Sequence, residues 1–263
     1  MDGPERPELR VERKPPALEL TIDRPEVRNA LDRATRQAIL AALDRYEADP
    51  DVRAVVISGA GDKAFSAGAD LRMFASMTSA EALEYTRLSK GTLRRIAEYP
   101  KPVIAKVRGV AYGGGNELAM ACDLVYATPE SRFGQPEVNV GLLPGAGGTQ
   151  RLPRFVGYRA AIDLLWTGAP IGAEEALKRG LLTAVVPADQ LDAAVAAKVD
   201  QLAAKSAWVL AQVKDATRRS FELPLSEGLD YESRLFALAF ATDDLREGVA
   251  AFLEKRPARF RGR

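Results

Sequence analysis

The first two hundred residues predict an α/β architecture built on a largely parallel sheet, and two observations carry that prediction. The runs VRAVVI (52–57) and PVIAKV (102–107) have the near-continuous apolar character of strands buried on both faces. Stretches with helical spacing alternate with them through short glycine- or proline-marked connections, the pattern of parallel strands joined by crossovers. A chain of 263 residues can form one such unit without a second independent core.

The elements follow in order. Residues 1–16 are polar and proline-rich and read as a loose lead-in. Residues 17–22 alternate and read as a strand, closed by Asp23, Arg24 and Pro25. Asp32 is placed to cap a helix that runs to Tyr46, with Ile39, Leu40 and Leu43 at helical spacing. After the strand at 52–57 comes a loop, 59–70, and then a helix over 80–97 that stops before Pro100. The strand at 102–107 leads to Gly109 and a run of three glycines, 113–115; a short buried helix at 116–122 and a strand at 124–127 follow. From Gly157 onward the pattern turns helical, over 159–166, 173–179, 189–204, 207–220, 226–240 and 243–254. The expected division is an α/β core over 1–200 and a helical C-terminal segment over 201–263.

Composition excludes several chemistries. The chain has no histidine, so neither a Ser-His-Asp triad, a Cys-His pair nor a histidine-ligated zinc or haem site can form. Its single cysteine, Cys122, rules out an intrachain disulfide or a cysteine-ligated metal site, and reads as a small core residue. Acid–base chemistry is left mainly to carboxylates, Lys and Tyr, with no metal expected. With 37 basic against 36 acidic residues there is no basic face for nucleic acid, so no such partner is expected. No stretch approaches the roughly 20 apolar residues needed to span a membrane, and Met1–Arg13 has no apolar run of a signal peptide. A soluble, cytoplasmic protein without a membrane partner is expected.

Two weak motifs fail on context. Residues 59–64 (GAGDKA) fit a nucleotide-binding fingerprint in form, but FSAG follows where a helix should start. Residues 64–68 (AFSAG) imitate a nucleophile elbow, yet no histidine exists to activate Ser66. The informative segments are FSAGADL (65–71), GVAYGGGNELAMACD (109–123) and FGQPEVNVGLLPGAGGTQRL (133–152). Three glycines at the start of a helix leave outward-pointing N–H groups at the positive end of its dipole, a site for an anion or a developing oxyanion. The AGAD turn can offer a second donor.

Glu117 falls in the first turn of the short helix, and Glu137 between Pro136 and Val138. Facing one cavity, two such carboxylates can hold a water and divide acid and base duties. From spacing alone, Glu117 equally suits a helix N-terminus and Glu137 a solvated loop, and GAGG (145–148) reads as a turn rather than a phosphate cradle.

Together with RPEVRNAL (24–31) and TDDLREGVAAFLEKRPARF (242–260), these segments resemble the crotonase family, the enoyl-CoA hydratase/isomerase superfamily, over nearly the whole chain. The resemblance implies a spiral of ββα repeats with a helical C-terminal segment for trimerisation, and a homotrimer or dimer of trimers. It implies an enoyl-CoA hydratase of the β-oxidation type, with Glu117 and Glu137 as catalytic residues. The oxyanion hole falls on the N–H groups of Ala69 and Gly114. Contacts to the acyl-CoA thioester fall on Arg28, Ala30, Leu31, Ala67, Gly68, Asp70, Leu71, Tyr112, Gly113, Pro136 and Gly141. CoA enters as part of the substrate, and neither metal nor permanently bound cofactor is implied. Met73, Phe74 and Met77 are candidates for the acyl pocket, although such spacing equally suits simple packing. Asn116 departs from the family, many of whose hydratases carry Cys there. The alternatives on this scaffold are a Δ3-Δ2-enoyl-CoA isomerase using Glu137 alone or another CoA-thioester lyase. A non-catalytic acyl-CoA- or RNA-binding protein is the reading from a different class.

Overall fold

The computed structural model describes residues 8–262. In chain order the elements are β1 (Leu9–Lys14), β2 (Ala17–Ile22), α1 (Arg33–Tyr46), β3 (Ala54–Gly59), β4 (Ala64–Ser66), α2 (Ser79–Ala97) and β5 (Val103–Val107). There follow β6 (Val110–Tyr112), α3 (Gly114–Ala121), β7 (Leu124–Ala127), β8 (Arg132–Gly134), α4 (Gly148–Val156), α5 (Tyr158–Thr167) and β9 (Ile171–Gly172). The chain ends with α6 (Ala173–Lys178), β10 (Ala184–Val185), α7 (Leu191–Ala203), α8 (Ala207–Arg219), α9 (Leu225–Ala239) and α10 (Asp243–Leu253).

The strands form two sheets, ordered β1-β2-β3-β5-β7-β10 and β4-β6-β8-β9. Only the β1–β2 and β8–β9 pairs are antiparallel; every other pairing in the two sheets is parallel. Each turn of the spiral lays one strand on the large sheet and the next on the small one: β3 then β4, β5 then β6, β7 then β8. The expected ββα spiral is therefore present. The apolar runs behave as strands covered on both faces. Val55 and Ile57 of β3 pack with Leu18, Leu20, Ile39 and Leu43 in the main core. Ala54 and Val56 face the other way, against Leu191, Val195 and Val199 of α7.

The structure corrects three expectations. The lead-in is not loose from Leu9 on: β1 pairs along its length with β2, from Leu9 opposite Ile22 to Lys14 opposite Ala17. Its charged side chains face outward on an edge strand, so it leaves little apolar signature; residues 1–7 lie outside the described residues. The loop at 59–70 contains β4, too short at three residues to show a period. Residues 148–156 form α4, which a glycine start and an internal Pro153 conceal.

Asn29 joins the first loop to the end of β3. It is fully buried, in the left-handed region at φ +56°. Its Oδ1 accepts the Arg24 N–H at 3.0 Å, and its Nδ2 donates to the carbonyls of Ala60 and Ala64 at 3.0 and 2.7 Å. The C-terminal segment is tied to the core by Lys214 Nζ, 2.8 Å from Asp123 Oδ2. Asp123 also accepts the Val103 N–H at 2.8 Å. Helices α8 and α9 bury no residue within the chain and expose Val213, Leu225, Leu229, Phe236 and Phe240.

Asn29→Ala strands two buried carbonyls and an N–H and places a Cβ-bearing residue without a local hydrogen bond at positive φ. A loss of about 2–4 kcal/mol in urea unfolding is expected, and a value below ~1 kcal/mol would contradict this account of the loop.

Candidate active site

The site is assembled where the end of β4 meets the start of α3. Ala67 N–H donates to Arg28 C=O at 2.9 Å and Leu31 N–H to Gly68 C=O at 2.7 Å, so segments 28–31 and 67–68 run together. On the other side, Gly68 lies against β6: a Cβ there would stand 2.8 Å from Tyr112 O and 3.1 Å from Gly114 N. A Cβ on Gly114 would in turn stand 3.7 Å from Ala69 N. The backbones bearing the Ala69 and Gly114 N–H groups are thus in contact. Gly114 opens α3, so its N–H has no partner within the helix.

Two of the three glycines are required for different reasons. Gly113 turns the chain at φ +51°, and a Cβ on it would lie 3.0 Å from Glu137 Oε1. Gly115 faces β4 so closely that a Cβ would sit 2.1 Å from Ser66 O. Any side chain there pushes α3 off the strand.

Glu117 is 3% exposed. Its Oε1 accepts N–H bonds from Ala146 at 2.8 Å and Gly148 at 2.7 Å. The GAGG segment is therefore more than a turn: with Gly147 as N-cap of α4, it presents leading N–H groups to a carboxylate. Burial pushes the Glu117 carboxyl up, while the Gly148 and Ala146 N–H groups and the Arg151 and Arg36 cations pull it down. Glu137 sits half-buried in a short 3-10 turn, Pro136–Val140, with no hydrogen-bond partner for its Oε2. Burial pushes it up to about 7, with Glu117 adding to the rise. The two carboxylates thus hold different environments, one clamped by two N–H groups of the loop before α4 and one with its Oε2 unpartnered.

The remaining predicted residues fall around this centre. Ala30 and Leu31 are buried beside Gly68, whereas Arg28 and Leu71 are exposed at the rim. Asp70 is held down to about 2 by the Arg72 guanidinium at 2.6 Å. Gly141 is exposed and closes the turn that carries Glu137, its N–H donating to the Glu137 and Val138 carbonyls. Met73 and Met77 line a surface cavity of about 300 Å³ with Tyr85, and Phe74 meets the Tyr85 ring edge-on at 5.4 Å. Asn116 is buried with its Oδ1 unpartnered, neither capping α3 nor bonded to Glu117. Cys122 is a buried thiol, and burial raises its pKa strongly. In the weak elbow motif, Ser66 Oγ accepts the Gly68 N–H at 3.2 Å, a local turn contact. Of the basic tail, Arg256 pairs with Glu247 at 2.7 Å, and the Arg261 N–H donates to Asp244 at 2.6 Å.

Sequence reasoning missed the Glu117 donors Ala146 and Gly148, and it missed Arg36. That arginine interrupts the apolar stripe of α1, one helical turn before Ile39 and Leu40, which is the signal that could have found it.

Similarity to known proteins agrees with this geometry. The family described as enoyl-CoA hydratase/isomerase matches residues 13–263. A probable enoyl-CoA hydratase of Mycobacterium tuberculosis is 44% identical, over 92% of this chain and 93% of that one. The crotonyl-CoA hydratase of Syntrophomonas wolfei is 42% identical over the same shares. The crystal structure of the enoyl-CoA hydratase from Bacillus anthracis superposes with a TM-score of 0.93 at 33% identity, covering 97% of this chain and 100% of that one. The chain belongs to the enoyl-CoA hydratase/isomerase family.

Since Glu137 ionises less readily in the folded than in the unfolded protein, its charge opposes folding above about pH 7. Glu137→Gln is therefore expected to be more stable than wild type at pH 8, by ~1–3 kcal/mol. The difference should fade as pH drops through 7 and vanish below the unfolded carboxylate value. Thermal melts at pH 8 and pH 4 check it; equal differences at both would refute the environment assigned to Glu137.

Proposed function

We propose that the protein hydrates 2-enoyl-CoA thioesters to 3-hydroxyacyl-CoA in the cytoplasm, as a homotrimer or a pair of trimers. The observation that carries the reading is the pair of carboxylates beside the Gly113–Gly115 turn: Glu117 in the first turn of α3, clamped by two N–H groups, and Glu137 with an oxygen 3.0 Å from where a Cβ on Gly113 would stand and its carboxyl pushed up to about 7 by burial. The N–H groups of Ala69 and Gly114 receive the thioester oxygen and draw electron density from the β-carbon. Glu117, whose Oε1 accepts the Ala146 and Gly148 N–H groups, takes a proton in its ionised form from a water as the water oxygen bonds to the β-carbon. Glu137 in its protonated form delivers its proton to the α-carbon as the enolate collapses. Turnover closes when Glu117 releases its proton to solvent and Glu137 takes one up. Carboxylates and backbone suffice for this route.

CoA is proposed to run along the paired segments 28–31 and 67–71, with its acyl chain directed toward Met73, Phe74 and Met77. Assembly through the 201–263 helical segment is supported by the apolar side chains that α8 and α9 expose, since soluble surfaces rarely leave such patches uncovered. Light scattering should return three or six times the monomer mass at micromolar concentration; a monomer would overturn the assembly proposal.

The direct test is loss of the conjugated-thioester absorbance of crotonyl-CoA. Glu117→Gln and Glu137→Gln should each lose about 10²–10⁴-fold in kcat. No loss of absorbance with wild type, on crotonyl-CoA or longer 2-enoyl-CoAs, defeats the hydratase reading. If Glu117→Gln keeps most of its activity toward a 3-enoyl-CoA, isomerisation by Glu137 alone takes its place. For hydration, kcat/KM should fall as pH rises through about 7, where Glu137 loses the proton it must donate. A profile flat from pH 6 to 9 contradicts that role.

A further inference from the structure

Arg36 is the charged side chain that the reaction described above leaves unused. It lies on α1 and is 5% exposed, with no carboxylate paired to it among the described residues. A buried cation without a counter-ion is costly unless something else at the site repays its desolvation. Its Nη1 donates to the carbonyls of Leu31 and, at 3.0 Å, Asp32. Its Nη2 donates to Tyr85 Oη at 3.0 Å, and the guanidinium lies 4.9 Å from the Tyr85 ring centre.

These anchors aim the group at both sides of the proposed oxyanion hole. A Cβ on Gly114 would stand 3.8 Å from Arg36 Nη2. Leu31, whose carbonyl accepts from Arg36, donates its own N–H to Gly68 C=O at 2.7 Å, one residue before Ala69. Arg36 also lines a small closed cavity with Ser89, Thr92, Gly114 and Ala146, and the Ala146 N–H is one of the two that hold Glu117.

We propose that Arg36 is a positioning residue that braces the Ala69 and Gly114 donors and supplies a fixed positive charge favouring the enolate oxyanion. This rests on the hydratase reading for the identity of the oxyanion. The charge acts on Glu117 too, which faces Arg36 from α1, Arg151 from α4 and Glu137 from its 3-10 turn, and Arg36 helps hold its carboxyl down. Tyr85 of α2 is the phenol that faces Arg36 itself.

The test compares Arg36→Met, Arg36→Lys and Tyr85→Phe with wild type in kcat, KM, the pH profile of kcat/KM and melting temperature. Arg36→Met should lower kcat about 10- to 50-fold with little change in KM, and move the acid limb to higher pH as Glu117 loses a cation. Arg36→Lys should restore the acid limb but only part of kcat, because an ammonium cannot bridge the Leu31 carbonyl and Tyr85 Oη as a planar fork does. A folded Arg36→Met with wild-type kcat and acid limb overturns the proposal, as does a variant changed in melting temperature alone. Should Arg36→Met fail to fold, Tyr85→Phe decides: it keeps the charge and removes one anchor, so kcat should fall several-fold with the acid limb in place, and an unchanged kcat overturns the bracing role.

Acetoacetyl-CoA separates this proposal from the hydratase reading. Its enolate absorbs in the near ultraviolet, and its stabilisation on the protein needs no hydration. Wild type that stabilises the enolate without hydrating crotonyl-CoA defeats the hydratase reading alone. Equal enolate fractions on wild type and folded Arg36→Met defeat the role of Arg36 alone.

Discussion

The constraint on which the rest of this structure depends is the approach of α3 to the end of β4. With a Cβ at residue 115 only 2.1 Å from Ser66 O, the helix can lie where it does only because that residue is glycine. The approach brings the first turn of α3, with its open N–H groups, against the Gly68–Ala69 peptide. It also sets the direction in which Glu117 leaves the helix, toward the loop before α4. The same contact that packs the two layers of the spiral therefore also builds the site, and a change that relaxes the packing moves the chemistry.

Electrostatics then gives two residues of one type different surroundings. Glu117 is almost wholly buried, and burial pushes its carboxyl up while two N–H donors and two cations pull against that rise. Glu137 is half-buried, with an unpartnered Oε2 and the Glu117 charge nearby, so burial first and that charge second hold its proton to about pH 7. Desolvation acts on both; the difference lies in which polar groups the fold supplies. The N–H clamp comes from a loop about thirty residues downstream, so the state of Glu117 depends on the seating of α4.

The C-terminal helices obey a different rule. Asp123 and Lys214 fasten them to the core, yet α8 and α9 bury nothing of their own within the chain. Their Phe and Leu side chains are left exposed at this end of the molecule, whereas the candidate site is lined by backbone and charge.

The sequence by itself determined the strands and helices whose burial or apolar spacing leaves a period, though α4 stayed hidden behind its glycine start and Pro153. The β3 and β5 runs and α1 with its Asp32 cap were legible because burial of one face or both leaves a pattern in every few residues, and the C-terminal helices because their apolar residues recur at helical spacing even where the chain itself leaves them exposed. From the residues alone the glycine run and the two glutamates suited a turn, a helix start and a solvated loop as well as a site, and only the family resemblance singled them out. Tertiary structure alone decided the three-residue strands and the edge strand β1, whose stability comes from pairing with neighbours rather than from any local pattern. It alone decided that GAGG holds Glu117, because a hydrogen bond between residues 117 and 148 has no trace in the spacing of either. It also decided that Arg36 points inward beneath Gly114: an arginine on an amphipathic helix is ordinarily solvated, and only the surrounding carbonyls and the Tyr85 hydroxyl make the buried position tenable.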